Sequence, residues 1–242
     1  MADSDPTQSS RGCNDRFALA PSLVALLTGC DEPCAVLDKA CRYRFANAAL
    51  RDLLALPEGF VLEGRTDRGL PHPVADFSAV FQAQHGQVRQ RGQGMRVLNT
   101  FPFGRQSVMQ PYLYEIYPYY NDAGACVGTL FHARRCLFFS PLQWLDGQVP
   151  YVARFQRPPC DWSIKDLDVA FFAMQGLSSK ETGRRMDVSY RTVENRLSVL
   201  YQKAGVNNLR QFRAYCQREG IDRYIPARFL HPSSQPVARL AA

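Results

Sequence analysis

The tightest constraint on this chain lies between Asp161 and Leu209, where three helix starts follow one another closely. Ser163 with Asp166 has the form of a capping box, with the shorter Asp in place of Glu, and Ser178 with Glu181 has the full form. Ser189 is a third N-cap candidate, opening a run that stops at Gly205. Only Met186 to Ser189 separates the last two helices. Two short helices joined by so tight a turn make a helix-turn-helix candidate.

At 100° per residue the third helix divides into two faces. Val193, Leu197, Leu200 and Ala204 fall on one side and are expected to pack inward. Arg191, Asn195, Ser198 and Gln202 fall on the other, flanked by Glu194 and Val199. A solvated polar face is the default for any amphipathic helix. Short donors and acceptors behind two capped helices and a tight turn favour a second use, the reading of base edges in a major groove.

The same residues carry a resemblance. Gly176-Leu-Ser-Ser-Lys-Glu, Met186-Asp-Val-Ser, Thr192-Val193 and Gln202-Lys203-Ala-Gly-Val206 resemble the LuxR-type (GerE-like) DNA-binding domain over about Trp162 to Tyr215. The resemblance implies four helices, the third entering the major groove. Carried over residue by residue, it implies base-facing positions at Glu194, Asn195 and Ser198. It implies phosphate-facing positions near Ser179, Lys180, Arg191 and Thr192. With Gln202 from the outer face and Lys203 from the last motif, these form the expected DNA-binding set. The chain departs from the family at Glu194, where Lys is usual, at Asn195, where His is frequent, and at Gly183, where Ala is usual. A carboxylate repels phosphate, so Glu194 is unsuited to clamping the backbone. It can instead accept from cytosine N4.

Charge supports the same half of the chain. The net charge is +7, and residues 161–242 carry +5 of it. Phosphate attraction requires such a bias, although a surplus this modest also serves solubility. Met1 to Arg16 is polar and acidic, without the basic start and apolar run of a signal peptide. No apolar run reaches the roughly 18 residues of a membrane span. A cytoplasmic protein is expected, with its eight cysteines reduced. Cys30, Cys34 and Cys41 cluster, but their spacing matches no zinc pattern and no His lies near in sequence, so small buried thiols are the expectation.

The first half of the chain changes period midway. Helical spacing marks Pro21 to about Gly29, Asn47 to Leu56 and Pro73 to about Gln90. The last carries Val74, Phe77, Val80 and Phe81. Short strands are expected at Ala35–Asp38 and Arg42–Ala46. Longer ones, rich in Val, Tyr, Phe and Thr, are expected at Met95–Pro102, Val108–Tyr120 and Ala125–Phe138, the last two joined by the Asn121-Asp-Ala-Gly124 turn. This order fits one five-stranded antiparallel sheet with helices on one face. It resembles a PAS domain over about residues 20–138, through Pro33-Cys-Ala-Val-Leu-Asp38, Phe45-Ala-Asn-Ala-Ala49, Gly64-Arg-Thr-Asp67 with Leu70-Pro71, and Val127-Gly-Thr-Leu130. The resemblance implies a sensor or dimerisation module with a small cavity, and it carries over no ligand. His72, His85 and His132 raise the question of haem, but a lone His is more often a surface or core residue, and haem is disfavoured. Tyr112, Tyr114, Tyr117, Tyr119 and Tyr120 occupy both faces of one strand, half for the core and half for a pocket or dimer contact.

The expected architecture is α+β. Residues 1–18 form a disordered start, 19–139 the PAS-like domain and 140–161 a linker with a short helix at Leu142 to Leu145. Residues 162–225 form the helix-turn-helix domain and 226–242 a disordered tail. The expected function is transcription regulation on double-stranded DNA, by a homodimer on a two-fold-related operator, with RNA polymerase as a further partner and no membrane. The open alternative is an interaction protein that sequesters a partner regulator. No Gly-rich phosphate loop, Gly-x-Ser-x-Gly elbow, His-Glu-x-x-His motif or convincing carboxylate pair points to an enzyme. Asp166 and Asp168 stand two apart and do not share a helix face.

Overall fold

The structure is a computed structural model that describes residues 17–138, 145, 147 and 149–237. The expected disordered start lies outside the described residues as far as Arg16, as does most of the helix expected at Leu142 to Leu145. The chain divides into two compact units. One runs up to Arg135 and takes in the segment from His231, and the other is Cys136–Leu230.

The first unit contains α1 (Pro21–Thr28), β1 (Cys34–Asp38), β2 (Tyr43–Ala46), α2 (Ala48–Leu53), α3 (Ser78–Arg91), β3 (Met95–Phe103), β4 (Val108–Tyr120) and β5 (Cys126–Arg135). Its antiparallel sheet has six strands, not five. The spatial order is β2-β1-β5-β4-β3-β8, where β8 is Ser233–Pro236. The expected tail is thus structured as far as Val237, with a 3-10 turn at Ala227–Phe229 and then this edge strand. Thr100 pairs with Ser233, Asn99 with Ser234, Leu98 with Gln235 and Val97 with Pro236. Ser-Ser-Gln-Pro has no strand propensity of its own. The open edge of β3 supplies the hydrogen bonds that hold it.

Helices cover both faces of this sheet, another departure from the expectation. Ala35 and Leu37 of β1 join the large core under α2 and α3, with Leu50, Phe101, Tyr114 and Phe131. Cys34 and Val36 point the other way, into a smaller cluster with Leu27 of α1, Leu130 and Tyr119. A strand buried on both faces loses its polar alternation, which is why β1 reads Cys-Ala-Val-Leu. Close packing also fixes Gly128 opposite Asp38. A Cβ there would stand 2.0 Å from the Leu37 carbonyl oxygen. Along α3 the buried residues are Ser78, Phe81, Gln84, His85 and Val88, at helical spacing. Val80, expected with the core, is exposed. A 3-10 turn at Pro73–Phe77 precedes the helix and is capped by His72. His72 accepts from Val74 N–H and meets the Pro102 carbonyl oxygen at 3.2 Å, a structural role.

The second unit contains a small ribbon of β6 (Leu137–Phe138) and β7 (Tyr151–Val152), then α4 (Ile164–Met174), α5 (Ser179–Met186), α6 (Tyr190–Ala204) and α7 (Leu209–Arg218). Trp162 is its buried anchor, with its ring stacked at 5.7 Å on Phe212 and 6.1 Å on Tyr215. Leu167, Val193, Leu200 and Cys216 complete the core. Among the described residues, no helix is long and apolar enough to cross a membrane.

Candidate nucleic-acid interface and sensor pocket

The helix-turn-helix is assembled by its caps. Ser163 and Asp166 form a reciprocal capping box at α4, and Ser178 and Glu181 form one at α5. Each box satisfies backbone donors that would otherwise be orphaned at a helix start. Ser189 caps α6 by accepting from Thr192 N–H at 3.1 Å. The turn is closed by Asp187, left-handed at φ 54°, a conformation that short polar side chains tolerate. Gly183 then makes room, since a Cβ on it would lie 2.7 Å from the Val188 carbonyl oxygen. The Gly that replaces the family's Ala is thus matched to a close approach between α5 and the turn. Arg196 of α6 donates to Asp166 of α4 at 2.9 Å, fixing the rotation of the third helix.

That rotation buries Val193 and Leu200, with Leu197 and Ala204 packed against the same core. The opposite face is open. Lys180, Arg191, Glu194, Asn195, Ser198, Gln202 and Lys203 are exposed, while Ser179 and Thr192 are half-buried. The side chains of Lys180, Glu194, Asn195, Ser198 and Gln202 form no hydrogen bond among the described residues, so their polar atoms are presented outward. Arg191 leans on its neighbour, with Nε 3.4 Å from the Tyr190 hydroxyl. Thr192 shares its hydroxyl with Ser189 at 2.9 Å, and Lys203 stands 4.0 Å from Asp161. All nine residues lie on α6 or in the first turn of α5. Ser179 and Lys180 sit where free backbone N–H groups favour an anion. Lys203, near the C-terminus of α6, stands apart from that first turn along the sequence.

The first unit holds a second feature, which sequence reasoning left without residues. Tyr43, Asp67, Gln84, His85, Asn99 and Tyr114 project into the core between the sheet and α3, walled by Phe81, Phe101, Phe103 and Phe131. They enclose a cavity of about 30 Å³, room for a water or two. Tyr43 donates its hydroxyl proton to Asp67 at 2.6 Å. Burial pushes the Asp67 carboxyl up to about 6, against the pull of that hydrogen bond. Burial, and then Arg89, bring His85 down to about 4, so its ring is neutral at pH 7, with Nδ1 2.8 Å from the Thr129 hydroxyl. Among the described residues, Gln84 Oε1 and Asn99 Oδ1 are buried without a hydrogen-bond partner. The legible signal was on α3, where Gln84 and His85 share the apolar face with Phe81 and Val88. Polar residues on a core face demand partners.

Comparison with known proteins agrees with this geometry. Residues 27–136 match the family model for the PAS fold, and residues 163–215 match that for bacterial regulatory proteins of the luxR family. A search of curated protein sequences finds no match. Among solved structures, the chain resembles a Vibrio cholera VqmA–ligand–DNA complex at 21% identity and a TM-score of 0.71, over 93% of this chain and 99% of that one. It also resembles a phage VqmA–DPO complex at 23% identity and a TM-score of 0.55, over 89% of this chain and 96% of that one. Together, the PAS fold in the first unit and the capped helix-turn-helix in the second place the chain among the LuxR-type (GerE-like) transcriptional regulators with an N-terminal PAS domain.

Proposed function

We propose that α6 reads an operator in the major groove, and that the cavity of the PAS unit holds the small molecule that governs the reading. The carrying observation is the outward face of α6, whose Glu194, Asn195 and Ser198 are exposed and uncommitted while its inner face is locked into the core. Asn195 has the donor–acceptor pair for adenine, and Glu194 an acceptor for cytosine N4. Lys180, Arg191 and the first turn of α5 are suited to the flanking phosphates. One such helix spans too few base pairs for useful specificity, so the active species is a homodimer on two half-sites, paired mainly through the PAS unit. RNA polymerase is the further partner of a regulator so placed.

The cavity asks for a particular ligand. Gln84 Oε1 and Asn99 Oδ1 need donors, and aromatic walls favour a flat ring. A small neutral heterocycle with N–H or O–H groups meets both demands, and its entry must displace side chains from a cavity this small. The similar VqmA structures carry a ligand, in one case together with DNA, which supports a shared plan of sensing and binding.

The test is a duplex-binding series on an operator selected from random sequence. Asn195→Ala is expected to relax base preference by about 1–3 kcal/mol at its position. Lys180→Ala is expected to weaken all sequences alike and to flatten the salt slope. Unchanged preference in Asn195→Ala would refute the reading face. The absence of any salt-dependent shift by the full chain would favour the sequestering alternative.

A further inference from the structure

Metal-binding side chains meet on the face of the PAS sheet turned away from the cavity. Cys34 opens β1 and lies directly across the ladder from His132 of β5. Opposed residues on neighbouring strands project to the same face, within reach of one another. Cys30 approaches from the loop after α1. One ligand atom from each of Cys30, Cys34 and His132 lies within 4.8 Å of the others. Glu32 stands beside them, its carboxylate paired with His132 Nε2. No other group of three such ligands occurs among the described residues. Sequence spacing hides the arrangement, because strand register, not a short motif, brings the His to the Cys-x3-Cys pair.

The loop that carries the two sulfurs is held in place by one buried side chain. Asn47 donates from Nδ2 to the carbonyls of Leu27, Cys30 and Glu32, at 3.3, 3.1 and 2.8 Å. Its Oδ1 accepts from Cys34 N–H at 3.0 Å. Cys34 is buried, whereas Cys30 and His132 are partly exposed, which leaves an approach from solvent. Fixed ligands, support from behind and an entry path are what a protein metal site requires.

We propose that Cys30, Cys34 and His132 bind a single borderline-soft transition-metal ion, zinc(II) by preference, with its fourth position left to Glu32 or water. Two sulfurs and an imidazole suit zinc and exclude magnesium or calcium, which take oxygen ligands. Binding replaces the proton of each thiol by a metal–sulfur bond, so loading releases acid without any redox step. The ion would tie the loop after α1 to the β1–β5 ladder. This inference stands apart from the DNA and cavity readings.

The experiment uses the full chain, reduced, freed of metal by chelation and kept from oxygen, with cobalt(II) as the probe. Expected are sulfur-to-cobalt charge-transfer bands in the near ultraviolet and intense tetrahedral bands in the visible. They should saturate at a single cobalt per chain and bleach when zinc(II) is added. Cys30→Ser and His132→Gln, at partly exposed positions that spare the core, should each abolish the bands while circular dichroism stays native. Cys160→Ser should retain them. The proposal is overturned if the reduced chain gives no bands, or if the bands persist in both variants. It is likewise overturned if mass spectrometry finds a Cys30–Cys34 disulfide in the reduced sample and no metal is taken up.

Discussion

Asn47→Ala tests how much of the PAS unit hangs on one buried amide. Its Oδ1 caps α2 by accepting from Leu50 N–H at 3.0 Å and also accepts from Cys34 N–H at 3.0 Å. Its Nδ2 serves three carbonyls, those of Leu27, Cys30 and Glu32. Loss of the cap alone costs about 1 kcal/mol. The Cys34 N–H, buried at the start of β1, would be left unpaired, at a further cost of about 1–3 kcal/mol. The Cys30 and Glu32 carbonyls lie closer to the surface, where water recovers most of their bonding, and the buried Leu27 carbonyl keeps the Cys30 N–H at 3.3 Å. The expected loss is about 2–4 kcal/mol, a large share of the roughly 5–15 kcal/mol that holds a domain together. Asn47→Asp keeps the acceptor but turns a carboxylate oxygen toward the three carbonyls. It should lose at least as much at neutral pH and recover on acidification, when the protonated acid can donate. Urea unfolding of the full chain separates the units, because Trp162 is buried in the second and the other tryptophan, Trp144, also follows Arg135 in the sequence. The transition in far-ultraviolet circular dichroism should shift to lower urea while that in tryptophan fluorescence stays in place. A loss below about 1 kcal/mol for Asn47→Ala would mean that water replaces the side chain, and would refute the assigned role.

Three further outcomes are expected. The Asp67 carboxyl is raised from 3.8 to about 6, so its contribution to stability is full below pH 3.8 and lost as pH rises through about 6. His85 is lowered from 6.5 to about 4, so its contribution is full above pH 6.5 and lost as pH falls through about 4. Each amounts to about 3 kcal/mol and the two oppose one another, so urea midpoints of the wild type should change little from this pair between pH 4 and 6.5, while Asp67→Asn destabilises with acid and His85→Gln with base. Arg228→Ala strands the buried Asp168 carboxylate without its ion-pair partner, at a cost of about 3–5 kcal/mol that lessens as acid protonates the carboxyl, read in the tryptophan-monitored transition. Truncation after Leu230 removes β8, bares the β3 edge and unpairs Gln84 Nε2 from Ser234, with an expected loss of about 1–3 kcal/mol and concentration-dependent association in sedimentation.

The helix-turn-helix was legible in the sequence because its determinants are local. Ser163 with Asp166, Ser178 with Glu181, Ser189 and Gly205 each act on backbone within a turn of themselves, and each caps or stops its helix in the structure. The alternation of apolar and polar residues along α6 likewise settles its inner and outer faces, since a helix has only one rotation that buries Val193 and Leu200 together. The β-rich half showed its strands through composition, but not their partners. Val80 kept the helical spacing yet lies outside, while Gln84 and His85 lie inside, because the cavity and Thr129 offer them polar contacts that spacing cannot reveal.

Tertiary structure alone decided the rest. Ser233–Pro236 forms a strand because β3 has an unpaired edge, not because Ser-Ser-Gln-Pro favours one. Helices stand on both faces of the sheet because β1 is buried on both. His132 reaches Cys34 because the β1–β5 register sets them opposite each other, and Asp67 reaches Tyr43 across a turn of the chain. Sequence therefore determined what short-range hydrogen bonds and periodic burial can dictate. Pairings between distant segments depend on which edges and faces remain open once the core has formed, and only the folded chain contains that information.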